Sequence, residues 1–348
     1  MLNSVHRPKK HITLSSGFSL IELMLAMLIG LIIIGGVMSL YISTRDTQRA
    51  SEDQLQLISD ARFVINTISD DLRQTGYWGQ ADVTTSIVCR NGDATCTGSD
   101  ALPLATGDCA NGWYIDLANI MTVTDNLTNY AATCTSNNYK ASTDVIGMHY
   151  ADSTPVLSTA LAASVTYIRS NYDVGGLFIG TPYPTTGAYD GLRLWKDDTR
   201  TENRKLVSNL YYVSNDTVAG DGIPSLHRVE LTPGPVMTDK MLISGVVDLQ
   251  FQFGIDTDTA NPKDGSINAY VNAGTNMANI PVDKNTGKTD WSTVHSVKIW
   301  VLMRSPKKDR DLPAGPQTFT LANHGPVTYN DGHRYYMVSS VVNLRNAK

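Results

Sequence analysis

Basic charge is scarce for a chain of this size: 28 Lys and Arg stand against 33 Asp and Glu, a net charge of -5 over 348 residues. A nucleic-acid ligand needs a basic face to neutralise its phosphates, so a nucleic-acid partner is not expected. Catalytic patterns are missing as well. The seven histidines are scattered, and the chain has no His-Glu-x-x-His pair, no nucleophile elbow and no phosphate-cradling glycine loop. Neither an enzyme, nor a cofactor, nor a metal is therefore expected, although a Ser-His-Asp site assembled only in space leaves no trace in sequence. Internal repeats and flexible linkers are also absent. What is present is a 42% apolar composition, ordinary for a chain that buries a core and unlike that of a disordered one.

Cysteine is rare and confined. Cys89, Cys96, Cys109 and Cys134 are the only four, with none in the N-terminal segment or the long C-terminal part. No C-x-x-C pair or histidine at ligand spacing accompanies them, which favours disulfides in an oxidising compartment over zinc. Four cysteines allow three pairings, which sequence does not choose between. Nearest-neighbour pairing, Cys89 with Cys96 and Cys109 with Cys134, closes the shortest loops and is the expectation taken.

The N-terminus has the clearest pattern. Residues 1–17 are polar and basic, with Arg7, Lys9 and Lys10 ahead of an almost wholly apolar run from Phe18 to Leu40. At 1.5 Å of rise per residue that run crosses a hydrocarbon layer of roughly 30 Å and exceeds the apolar core of a secretory signal peptide. The basic leader marks the cytoplasmic side, so the rest of the chain is expected in the periplasm or outside, in agreement with the cysteines. Glu22 is the exception inside the run. A carboxylate in hydrocarbon costs on the order of 2.5 kcal/mol or more, which calls for a partner, snorkelling to the interface being the plain alternative.

Gly17-Phe18-Ser19-Leu20-Ile21-Glu22-Leu23-Met24 resembles the class III signal of type IV prepilins and type II secretion pseudopilins. The resemblance rests on a basic leader, a small residue at the junction, an aromatic residue after it, an acid four places later and an uninterrupted apolar helix. It implies that prepilin peptidase cuts between Gly17 and Phe18 and methylates the new amino group of Phe18. Glu22 then pairs with the amino group of a neighbouring subunit during assembly.

Beyond the membrane segment, Ile58, Ala61, Ile65, Ile68 and Leu72 recur at helical spacing, with Arg62, Asn66, Ser69 and Arg73 on the other face. One helix ending near Gly76 is expected, with a membrane half (18–40) and an amphipathic half (41–76). Gly79 to about Asn138 reads as stapled loops, and Gly175 to Gly191, with Pro182 and Pro184, as an exposed insertion. Alternation predicts strands at Val145–Tyr150, Leu206–Val213, Leu226–Leu231, Leu249–Ile255, Val297–Met303 and Tyr335–Leu344. Asp256, Asp258, Asn261 and Asp264 read as a polar turn, with calcium the weaker alternative because Ala260 breaks the EF-hand order.

A second resemblance lies in Leu242-Ile243-Ser244-Gly245-Val246 with Gln250 to Asp258. It continues through Leu302-Met303-Arg304-Ser305, Asp331-Gly332-His333-Arg334 and Val342-Asn343-Leu344-Arg345-Asn346. These segments are similar to PilW-type minor pilins, whereas Tyr77 to about Lys205 resembles little. The resemblance implies an α+β, type IV pilin-like fold: a long N-terminal helix packed on an antiparallel head (77–348) with disulfide-stapled loops. It further implies a minor pilin that helps prime pilus assembly at or near the tip. Prepilin peptidase, other minor pilins, the major pilin, the inner-membrane assembly platform and a tip adhesin are the partners implied. The expected location is the inner membrane, single pass with the head in the periplasm, and then the pilus. The rival readings are a J-like minor pseudopilin of type II secretion, typically much shorter, and a single-pass membrane-anchored binding protein that keeps residues 1–17.

Overall fold

The structure is a computed structural model that describes residues 17–81, 87–89, 102–110, 112–117, 119–130, 133–135, 138–172, 175–180, 201–258, 264–274, 277–282, 289–309, 312 and 315–346. Two compact units divide the chain, residues 1–54 and 55–348. The first holds most of helix α1, which spans Leu20–Gln74 without a break. No proline interrupts it, and its membrane-length stretch is rich in Leu and Met, which lose little rotamer freedom in a helix. Nearly every side chain from Phe18 to Arg49 is exposed, including Leu31 and Leu40. By length and composition the helix is apolar enough to cross a membrane.

In the second unit the remaining turns of α1 bury Leu57, Ala61, Val64, Ile65, Ile68 and Leu72 in the core. Two residues depart from the expected helical wheel: Ser69 is buried and Ile58 only half-buried. The stripe is wider than the five apolar residues define, and Ser69 is small enough to sit beneath it. The helix stops at Gln74, followed by Gly76 at φ 77°, where a side chain would be strained. A Cβ there would also lie 2.6 Å from the carbonyl oxygen of Asn346.

The strands are β1 (Ile87–Cys89), β2 (Met121–Thr124), β3 (Val145–Val156), β4 (Thr166–Ser170), β5 (Gly175–Ile179), β6 (Glu202–Ser214), β7 (Ser225–Thr232), β8 (Val236–Ser244), β9 (Val246–Ile255), β10 (Ala269–Asn272), β11 (Val294–Lys308), β12 (Gln317–Leu321), β13 (His324–Tyr329) and β14 (His333–Asn343). One sheet runs β1-β5-β4-β6-β3-β2, with β7 on β6 and β8 on β7; a second runs β10-β9-β11-β14; β12 and β13 form a hairpin of their own. All pairs are antiparallel except β1 with β5. Leu249, Phe251, Phe253 and Ile255 of β9 and Val297, Ile299, Val301 and Met303 of β11 point into the core shared with α1.

The expected insertion is corrected at its start. Gly175–Ile179 is a strand, mostly buried because β4 flanks it on one side and β1 on the other; Pro182 and Pro184 lie outside the described residues. The expected loops likewise contain β2 and a 3-10 turn at Trp113–Ile115, elements held by distant partners rather than by local pattern. Cys109 and Cys134 form a disulfide across 25 positions. Constraining the unfolded chain over such a loop is worth about 3 kcal/mol. Cys96 and the side chain of Cys89 lie outside the described residues.

One buried base is expected to make the head acid-sensitive. His149 on β3 is fully buried, its Nδ1 3.0 Å from Ser208 Oγ and its ring 4.4 Å from that of Trp113, while Nε2 has no hydrogen-bond partner among the described residues. Ser208 donates its own proton to the Tyr114 carbonyl, so Nδ1 carries the hydrogen and donates. Burial pushes the imidazole down to about 4, against a smaller opposing pull from Asp116. An unfolded histidine titrates near 6.5, so between those values the unfolded chain binds the extra proton. Stability is therefore expected to fall as pH drops from about 6.5 to about 4, by roughly 3 kcal/mol from this group. Urea unfolding at pH 7 and pH 4.5 checks it: His149→Gln should lose that share of the acid sensitivity, and an unchanged acid slope in the variant would refute it.

Candidate functional site

Gly17, Phe18 and Ser19 precede the first helical residue, and Phe18 is 88% exposed. Ser19 stands at the N-cap and Glu22 at the third helical position. Glu22 reaches back so that its Oε2 accepts the Ser19 backbone N–H at 3.0 Å, while the Leu23 N–H reaches the Ser19 carbonyl at 3.1 Å. This is one half of a capping box, and it sets an acid against the positive end of the helix dipole. Glu22 thus has a local partner one residue away from Phe18. The sequence-predicted residues Gly17, Phe18 and Glu22 come together at one helix end, exposed.

Sequence reasoning missed a second feature at the other end of α1. Asp71 is buried, and its carboxylate accepts from Tyr150 Oη at 2.8 Å, Tyr211 Oη at 2.7 Å and Asn209 Nδ2 at 2.7 Å. One acid on the helix thereby gathers donors from β3 and β6. Burial first, and the Asp71 charge second, push both phenols up, so both stay neutral donors. The available signal was position: Asp71 falls three residues after Ile68 on the stripe that Val64 and Ile68 define, where a solvated acid does not belong. Beside it the chain's end closes the helix. Asn346 Nδ2 donates to the Arg73 carbonyl at 3.3 Å, one of the acceptors that a helix terminus leaves open.

The segments singled out in the C-terminal half also meet. Gly245, at φ 86°, is the pivot between β8 of the first sheet and β9 of the second. Its N–H donates to the Pro224 carbonyl at 2.6 Å, its carbonyl accepts from Arg304 N at 2.7 Å, and an added Cβ would lie 2.7 Å from the Arg304 oxygen. Further along, His333 Nδ1 meets the Ser305 carbonyl at 2.8 Å and Asp331 accepts from Tyr335 Oη at 2.9 Å. Gly245 is the joint between the two sheets, whereas the His333 and Asp331 contacts lie within the second.

Two constellations have the look of chemistry. Ser225 Oγ lies 3.1 Å from His227 Nε2, and His227 Nδ1 lies 2.9 Å from Asp239 Oδ1, the connectivity of a Ser-His-Asp triad. Ser225 is fully buried and its hydroxyl donates to the Asp216 carbonyl at 2.7 Å, so Oγ has neither access nor a free proton path. With Tyr212 donating to Asp239, the group ties β6, β7 and β8 together. Carboxylate oxygens of Asp256, Asp258 and Asp264 lie within 4.8 Å of one another. Asp256 accepts from the N–H groups of Asp258 and Gly265, and Asp264 from Ser266, which is how a polar turn is knitted. Asn261 lies outside the described residues.

The described residues thus hold a long apolar helix with a self-capped acid at its start, followed by a largely antiparallel head bearing a disulfide. Residues 210–346 match the family model of type IV pilus-assembly protein W, PilW, a span that holds β7 to β14, the pivot at Gly245 and the helix-closing Asn346. A type IV-like pilin from Thermus thermophilus is among the solved structures similar to it, at 9% identity, covering 65% of this chain and 83% of that chain with a TM-score of 0.28. None of the curated proteins matches the sequence.

Proposed function

We propose that this chain is a minor pilin that primes assembly of the type IV pilus. The observation that carries the reading is the Gly17-Phe18 junction, set after a basic leader and four residues ahead of Glu22 at the start of an exposed apolar helix. Prepilin peptidase removes residues 1–17 and methylates Phe18. The mature helix then sits in the inner membrane, in a single pass with the head in the periplasm, until the assembly platform lifts it into a complex with other minor pilins beneath the tip. There its apolar surface exchanges lipid for neighbouring helices, and the major pilin extends the filament from below. A head joined by hydrogen bonds and a disulfide, with the Ser225 hydroxyl of its triad-like group buried, suits a subunit that transmits force and presents surfaces.

Mass spectrometry of the membrane-extracted protein is expected to show a chain starting at N-methylated Phe18. Deleting the gene should strip the cell of most surface pili, while the protein itself stays scarce in sheared filaments. A mature chain starting at Met1, or abundance equal to the main subunit, defeats the reading.

A further inference from the structure

The β12–β13 hairpin pairs with no other strand among the described residues, yet it lies closed over one face of the second sheet. Leu321, fully buried, packs with Val247, Leu302 and Tyr335, and the rings of Phe319 and Tyr329 lie 6.0 and 4.2 Å from that of Tyr335. Polar contacts tether it at both ends. At its open end Gln317 bridges the β14 edge, Nε2 donating to the His333 carbonyl at 2.7 Å and Oε1 accepting from Tyr335 N at 3.2 Å. At its turn Asn323 donates to Asp125 at 2.9 Å and accepts from Asn126 at 3.0 Å. Next to the turn, His324 Nδ1 meets Asp248 Oδ2 at 2.6 Å. The Asp248 side chain is 1% exposed and that of His324 23%.

We propose that this hairpin is a charge-gated strap, which the His324–Asp248 pair holds closed and which loosens when His324 loses its proton. A buried carboxylate is costly without a cation beside it, and here the cation belongs to the hairpin while the carboxylate belongs to the sheet. Among the described residues no other cation is hydrogen-bonded to Asp248. Among the described residues Asp248 Oδ1 accepts from the neutral Gln250 amide at 3.0 Å. Lys140 also feels Asp248, but burial and then Arg304 work against its charge. Burial first, with Asp125 and Asp248 adding to it, pushes the Asp144 carboxyl well above the usual carboxylate range, and Tyr329, pushed up to about 12 by burial and by Asp248 and Asp331, stays neutral. The hydrogen bond to Asp248 holds His324 above its ordinary value. Its contribution is therefore complete below about pH 6.5 and is lost as pH rises through the raised value. A neutral His324 still donates to Asp248, so the strap loosens and is not cast off.

Hydrogen exchange of the full chain in detergent micelles, at pH 6 and pH 9 and corrected for intrinsic rates, tests this. Amides of residues 318–328 should open at least threefold more at pH 9, while residues 297–303 of β11 hold constant. His324→Gln keeps a donor without a charge and should open at pH 6 as wild type does at pH 9. Asp248→Asn should do the same, keeping an acceptor. Equal corrected exchange in the wild type at both pH values overturns the proposal, as does a His324→Gln chain that keeps the pH dependence. Should either variant disturb β11, the wild-type comparison against β11 still decides.

Discussion

Asp71→Ala is expected to lower the stability of the head by roughly 3–5 kcal/mol, the summed cost of leaving three buried donors without their acceptor. The donors are Tyr150 Oη, Tyr211 Oη and Asn209 Nδ2, all on strands beneath the helix. Alanine has no atom to replace a carboxylate, and packing around the site leaves little room for the side chains to turn outward, since Tyr211 is fully buried. Asp71→Asn retains one acceptor oxygen and should cost less, roughly half. Urea unfolding of the detergent-solubilised chain, followed by tryptophan fluorescence, measures both variants. A loss under about 1 kcal/mol for Asp71→Ala would mean that water or a shifted side chain satisfies the donors, and that the acid does not fasten helix to sheet.

Glu22→Ala should leave insertion and cleavage intact and cut incorporation into the minor-pilin complex by about tenfold or more, a change equivalent to about 1.4 kcal/mol. The acid has two possible services. It caps its own helix by accepting the Ser19 N–H at 3.0 Å, and in the proposed filament it faces the charged amino group of Phe18 on a neighbouring subunit. Each charge there offsets the other's cost of sitting among apolar helices. Glu22→Gln separates the two, because glutamine serves the capping box but carries no charge. If the variant with Gln co-isolates with other pilins as poorly as the variant with Ala, charge pairing is the role. If it matches wild type, capping accounts for Glu22 and the pairing is wrong.

The strands anticipated from alternation are present because their pattern is set by one buried face, as in Leu249, Phe251, Phe253 and Ile255. Those not anticipated have other supports. β4 and β5 are buried on both faces and do not alternate, β10 is short and half-exposed, and among the described residues β12 and β13 pair only with each other. The triad-like Ser225, His227 and Asp239 show the reverse problem. Their spacing along the chain is meaningless until β7 and β8 pair, and the burial of Ser225 is known only from the packed sheet.

By itself the amino-acid sequence determined the apolar helix and its acid, the end of that helix near Gly76, the alternating strands and the segments similar to PilW-type minor pilins. Each of these depends on residue type at short spacing: a run long enough for a bilayer, a residue free to take positive φ, a period of two or 3.6. Only the tertiary structure decided that Asp71 is an anchor, that Gly245 is the pivot between sheets, that Asn346 closes a helix 273 positions earlier and that His324 reaches Asp248. A buried polar group takes its meaning from partners that the fold brings from far along the chain, and short-range pattern holds no record of them.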